Sequence, residues 1–223
     1  MKITSIAKRL LASLRNRIAI LRHRRRLRTL AQEQSAATTY DYLETQLRRT
    51  YDKRNAPLQK RTAILIDAIA ERAAIAGKDV LCVGCRTTQE LHYFHRKGAK
   101  SVVGIDLFSE DPSILVMDMH QMTFPDSSFD LIYSSHSLEH AHTPAQVARE
   151  MLRVARTNTV VAIEVPIRYQ TRGADLIDLQ SVDKLHALFA PHIQQVLLQE
   201  EYEVDTAANP GGTPIARTIF MTD

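Results

Sequence analysis

His136, Glu139, His140 and His142 fall within seven positions, directly after the apolar run at residues 129–134. A neutral imidazole can take the proton of an attacking hydroxyl, and a carboxylate can orient an amine, so this cluster offers general-base chemistry. His140, His136 and Glu139 are the candidate catalytic residues. Helix capping and core packing are the plain alternatives for the histidines, and a metal site from His136, His140 and His142 is not expected.

Acidic residues stand where other apolar runs end. Residues 80–84, Val-Leu-Cys-Val-Gly, close on a glycine, and residues 101–106 close on Asp106, 22 positions after Gly84. Open parallel sheets bind ligands at the carboxyl ends of their strands, and a carboxylate about 20 residues past the first turn is placed to accept from two ribose hydroxyls. A third run, 114–118, ends in Asp118, with His120 close behind. The run 161–166 carries Glu164 to the same edge, where it can hold a polar acceptor. Arg168, Tyr169, Arg172 and Asp175 follow on a loop long enough to cover the site, and the two arginines would favour an anionic acceptor; such loop charges are more often solvated.

The two cysteines form Cys82-Val-Gly-Cys85, and His92-Tyr-Phe-His95 follows. A zinc site is rejected, because the two pairs lie too close together for a Cys2His2 finger. Cys82 also falls inside an apolar strand. Two buried free thiols in a reducing compartment are expected instead.

The elements that must position these residues alternate between strand-like and helix-like stretches. Apolar residues at helical spacing predict a helix over 60–76, with Gly77 as its stop. Thr87-Thr88-Gln89-Glu90 reads as a capping box opening the helix after the first strand. Pro125-Asp126-Ser127-Ser128 is a turn by its residue chemistry, and Thr143-Pro144 opens the next helix with proline at its first position. Towards the carboxyl end a helix is expected over 181–189 and strands over 196–204 and 217–222, joined through Asn209-Pro210-Gly211-Gly212 as an antiparallel hairpin.

Read in order, VLCVGCRTTQEL, VVGIDL, VMDMHQMTFPDSSFDLIYSSHSLEH, AQVAREMLRVAR and VVAIEVP resemble the class I S-adenosylmethionine-dependent methyltransferases of the type 11 domain family, over roughly residues 60–223. That resemblance implies an α/β fold: a Rossmann-like seven-stranded sheet, mostly parallel, with helices on both faces and an antiparallel final strand. It implies S-adenosylmethionine as cofactor. Gly84 would approach its methionine portion, Asp106 would hold the ribose, Asp118 would meet the adenine amino group, and Ser135 to His140 would line the transfer site. Cys85, Arg86, Leu107 and Met119, neighbours of those positions, complete the cofactor-binding set. The family's first loop carries an acid and three glycines; here Cys82, Gly84, Arg86 and Thr88 stand in those places, so one glycine of three remains. Arg86 can instead offer a guanidinium to the cofactor's carboxylate or turn to solvent. A methyltransferase-like binding protein without catalysis therefore stands as the alternative.

The 223 residues, 44% hydrophobic, suffice for one such domain and an extension. The net charge of +4 conceals an asymmetry: residues 1–32 hold ten Lys and Arg and no acid, and the remainder is acidic. In that arm Ile3, Ile6, Leu10, Leu14, Ile18 and Leu21 recur at helical spacing, so a basic amphipathic helix is expected. It suits packing on the body or a sister subunit, an anionic membrane surface, or, less well, nucleic acid or an organellar transit role. No apolar run is long enough to span a bilayer, and a cytoplasmic protein, peripheral to a membrane in one reading, is expected. The organisation expected is an arm at 1–32, a connecting region at 33–58 and the methyltransferase-like domain at 59–223, acting on a small-molecule or lipid-linked acceptor, with homo-oligomerisation left open.

Overall fold

The computed structural model describes residues 40–53, 55–109, 111–171 and 175–223. The expected basic helix at 1–32 and Arg172 lie outside the described residues. Contacts divide the chain into two compact units, Met1–Asn55 and Ala56–Asp223. The described part of the first is α1 (Tyr40–Lys53), in which Leu43, Leu47 and Tyr51, one helical face, are buried.

The second unit is built on seven strands: β1 (Asp79–Val83), β2 (Ser101–Asp106), β3 (Ile114–Val116), β4 (Phe129–Ser135), β5 (Ala155–Pro166), β6 (Ile193–Tyr202) and β7 (Ile215–Thr222). They form one sheet in the order β3-β2-β1-β4-β5-β7-β6. The pairs among β1 to β5 are parallel, and β7 runs antiparallel to both its neighbours. This is the expected Rossmann-like sheet, with the last strand slotted between β5 and β6.

Successive strand residues point to opposite faces, and β1 displays the consequence. Leu81 and Val83 join one core with Ile132, Val161 and Ile163; Val80 and Cys82 join the other with Leu131, Tyr133 and Ala162. Both faces must therefore be covered, as in parallel sheets generally. The helix α2 (Lys60–Arg72) buries Leu65, Ile66 and Ile69 on the second face beside Leu91 and Phe94 of α3 (Thr88–Arg96). On the first face α4 (Pro144–Val154) buries Val147, Ala148, Met151 and Val154, and α5 (Val182–Ala187) buries Val182 and Leu185. Burial of each such large apolar side chain contributes about 1.5–3 kcal/mol.

Two local expectations are corrected. The helix expected to reach residue 76 ends at Arg72, where Ala73 turns to extended backbone while its N–H still reaches the Ile69 carbonyl. Gly77, at φ +76°, serves the turn into β1 and donates to the Gly98 carbonyl. The capping box at Thr87–Glu90 does not form either: Thr87 occupies the N-cap without a side-chain bond, and Glu90 turns inward to bond the Cys85 thiol.

Candidate active site

Gly84 ends the first strand at φ +73°, a left-handed conformation that glycine adopts freely. A Cβ there would stand 2.0 Å from Ser137 Oγ and 2.4 Å from its Cβ. The loop after β4 thus packs directly on the backbone of the loop after β1, and Ser137 Oγ donates to the Ser135 carbonyl at 3.2 Å. Ser135 closes β4 and pairs with Glu164 of β5. Ser134 Oγ and Tyr133 Oη are buried there without a hydrogen-bond partner.

Asp106 closes β2 beside this loop. One carboxylate oxygen accepts from the Phe108 N–H at 3.2 Å. Burial pushes its pKa up, against the opposing pull of Arg86 and His140, so Asp106, Arg86 and His140 share one electrostatic neighbourhood. Glu90 belongs to the same group: burial raises its pKa to about 7, Asp106 adds to the rise, and Cys85, Arg86 and Arg61 oppose it. Asp118, past the end of β3, accepts at one oxygen from the N–H of His120 and bonds its ring Nδ1, at 2.8 and 2.7 Å. Burial alone would raise Asp118, yet these bonds hold its pKa below the usual range. The His120 ring stacks on His142 at 3.8 Å between centroids, and burial, followed by the His120 charge, lowers the pKa of His142.

His136 sits at φ 51°, in the left-handed region. Its ring lies between two carboxylates, Nδ1 3.7 Å from Glu139 Oε1 and Nε2 3.3 Å from Glu164 Oε1. His140 follows on the single turn Leu138–His140, with Nδ1 3.3 Å from Asp175 Oδ1 and Nε2 4.0 Å from Glu139 Oε1. Behind them Arg217 of β7 donates from Nε and Nη2 to Glu164 Oε2, at 2.8 and 2.5 Å. The structure therefore strings Arg217, Glu164, His136, Glu139, His140 and Asp175 into one chain of ionisable groups along the carboxyl edge of β4 and β5.

The fold brings the candidate catalytic residues His136, Glu139 and His140 together, and sets Gly84, Arg86, Asp106 and Ser135 at the adjoining strand ends. Leu107 and Met119 are partly buried, Met119 packing on the core. Cys85 is the exception within the cofactor-binding set. Its N–H is used by the Ile105 carbonyl, its thiol contacts the Thr87 carbonyl at 3.2 Å, and the residue is fully buried. The reason is tight packing against Gly104, where a Cβ would meet the Cys85 side chain at 3.1 Å. Arg168 is a second correction: its guanidinium binds Glu201 and Glu203 at the end of β6, so its charge is neutralised there and offers no anion site. Burial pushes both thiols up, and no group of three His, Cys, Asp or Glu suited to a metal ion occurs among the described residues. Glu90 and Arg217 were the residues missed. A lone arginine inside the apolar run Ile215–Thr222 was the available signal for the second; nothing local marked the first.

Strand order and ligand-edge carboxylates together define the class I methyltransferase fold. Residues 81–163 match the methyltransferase domain family, type 11; that family's cofactor is S-adenosylmethionine. A curated relative, the ubiquinone biosynthesis O-methyltransferase of Hahella chejuensis, is 33% identical over 115 residues, which cover 45% of this chain and 48% of that one. The match thus spans about half the length of that relative. Among solved structures, the 4+2 cyclase SpnF has a TM-score of 0.60 at 16% identity, covering 82% of this chain and 93% of that one. A 1,6-didemethyltoxoflavin-N1-methyltransferase of Burkholderia thailandensis, solved with bound 1,6-didemethyltoxoflavin and S-adenosylhomocysteine, has a TM-score of 0.57 at 14% identity, covering 78% of this chain and 81% of that one. At these identities the likeness is one of fold, and the fold hosts a cyclase as well as methyltransferases.

Proposed function

We propose that the protein transfers a methyl group from S-adenosylmethionine to an oxygen or nitrogen of a small-molecule or lipid-linked acceptor. The observation that carries this reading is the placing of Asp106 and Ser135 at the carboxyl ends of β2 and β4, the strands that flank β1 and its Gly84 turn, with His140 held against Asp175. When bound, the cofactor supplies an electrophilic methyl on a sulfonium. Asp106 would accept from the ribose hydroxyls, Arg86 would face the cofactor's carboxylate, and Asp118 would meet the adenine amino group. The orphaned Tyr133 and Ser134 hydroxyls offer further polar contacts to a ligand at this edge. His140, oriented by Asp175, would take the acceptor's proton, and the surrounding side chains would align the acceptor for transfer.

A second reading keeps the fold without the catalysis. Arg86 and Thr88 in place of loop glycines favour it. Calorimetric titration with S-adenosylmethionine and S-adenosylhomocysteine tests the first reading, which expects both to bind; absence of binding by either leaves the second.

The arm at 1–32 extends the proposal to location: a cytoplasmic protein held at an anionic membrane surface. Its ten basic and no acidic side chains support this. Cosedimentation with anionic vesicles, comparing the full chain with one beginning at Glu33, is expected to show binding by the full chain alone.

A further inference from the structure

His120 is 7% exposed, and two parts of the chain fix its position. On its own loop, its backbone N–H and its ring Nδ1 both bond Asp118 Oδ1, at 2.8 and 2.7 Å. From the start of α4, the Thr143 N–H donates to its Nε2 at 3.4 Å and the Gln146 amide donates to its carbonyl at 2.8 Å. The His142 ring lies 8° from parallel against the His120 ring, and is itself tied to Thr143 Oγ1 at 3.0 Å. An Nε2 that accepts leaves the ring proton on Nδ1, so the imidazole donates its shorter bond to Asp118.

That bond is made at the ligand edge. The strands β2 and β3 run parallel up to the pair Asp106 and Val116, and the Met117 N–H then donates to the Asp106 carbonyl at 3.0 Å. The carboxylates that would meet the adenine and the ribose therefore stand at adjoining strand ends. The Asp118 side chain is 26% exposed there, whereas the imidazole that holds it is 8% exposed. Asp118 is kept ionised by its bonds to His120, and an ionised carboxylate only accepts.

We infer that His120 is a positioning residue for adenine recognition: it holds the Asp118 carboxylate as a fixed acceptor, which lets the site tell adenine, with its exocyclic amino group, from hypoxanthine, with a carbonyl in that place. This rests on the methyl-transfer reading, which assigns Asp118 to the adenine, and adds the residue that makes the contact selective. An amino group donates to the carboxylate, whereas a carbonyl sets one acceptor against another and leaves both unpaired. Such discrimination needs the acceptor held still. A carboxylate able to swing away relieves the clash with the wrong base and loses order on binding the right one.

Affinities for S-adenosylhomocysteine and S-inosylhomocysteine are measured on the full chain by calorimetry, and those for adenosine and inosine by ligand-observed NMR. The parent is expected to favour the adenine member of each pair by at least about tenfold. His120→Leu, similar in bulk but without the donor, is expected to bring both ratios to within about threefold of unity, and His120→Asn, whose amide nitrogen stands where Nδ1 stands, to preserve them. A role in stability alone would weaken both members of a pair alike and leave the ratios unchanged. Should His120→Leu not fold, His120→Gln, which carries its amide beyond the Nδ1 position, must lower the ratios in its place. Ratios near unity in the parent, unchanged ratios in folded His120→Leu or His120→Gln, or as large a fall in His120→Asn each overturns the inference. Absence of binding by all four ligands overturns it together with the methyl-transfer reading. Failure of S-adenosylhomocysteine to bind, with adenosine still preferred to inosine, sinks the methyl-transfer reading alone.

Discussion

Glu164 and Arg217 face each other in the antiparallel register of β5 and β7, and their side chains form a two-pronged ion pair that is almost wholly buried. Burial on its own would raise the Glu164 pKa; the His136 and Arg217 contacts hold it below the usual range. The pair ties the antiparallel strand to the ligand edge and sets the carboxylate against which His136 rests. Removing one partner of a buried pair leaves an uncompensated charge, which costs about 3–5 kcal/mol. Arg217→Met should therefore destabilise the fold by that amount in chemical denaturation, and adding Glu164→Gln should restore part of it. A loss no larger in Arg217→Met than in the double variant would show that the charge is compensated elsewhere.

Gly84 and Ser137 make a second long-range dependence. Alanine at 84 would have to hold φ +73° and displace Ser137, whose Oγ would lie 2.0 Å from the new Cβ. A left-handed alanine alone costs about 1–2 kcal/mol. Gly84→Ala should lower stability by more than that, and adding Ser137→Gly should recover the steric part only. Melting curves of both variants check it; an unchanged midpoint for Gly84→Ala is the contrary result.

Asp106 should matter to the cofactor and little to the fold. Hydrogen bonds to a charged group contribute about 1.5–3 kcal/mol, so Asp106→Ala should weaken S-adenosylhomocysteine binding by that order. Because burial already penalises the charged carboxylate, its removal should not lower the melting temperature. Calorimetry reads the first effect, and unchanged affinity would remove Asp106 from the site.

Glu90 predicts a pH dependence. In the folded protein it keeps its proton up to about 7, against 4.5 for a solvated glutamate. Between those values the folded state binds more protons than the unfolded one, so this residue makes stability fall as pH rises through the window. Glu90→Gln removes that slope. The stability of the variant relative to the parent should rise from pH 4.5 to 7 and be level outside it; a constant difference across the window would place the carboxyl in solvent.

The sequence by itself determined the alternation of strands and helices, since apolar runs of strand length and apolar stripes at helical spacing are local. It also determined that acids close the strands: Asp106 ends β2 and Glu164 lies near the end of β5, so their place at the ligand edge needed no knowledge of distant contacts. The clustering of His136, Glu139 and His140 was equally local. What they touch was not. Arg217 reaches Glu164 from 53 positions away only because β7 inserts between β5 and β6 in one register, and Asp175 reaches His140 from a separate loop. Glu90 had the spacing of a capping residue and turned inward to Cys85, and the arginines expected to attract an anion included one already claimed by Glu201 and Glu203. Backbone periodicity is written residue by residue, whereas the partner of a charged side chain is decided by which strands lie side by side. That is why the site's position could be read from the chain while its charge and its hydrogen-bonding demand required the tertiary structure.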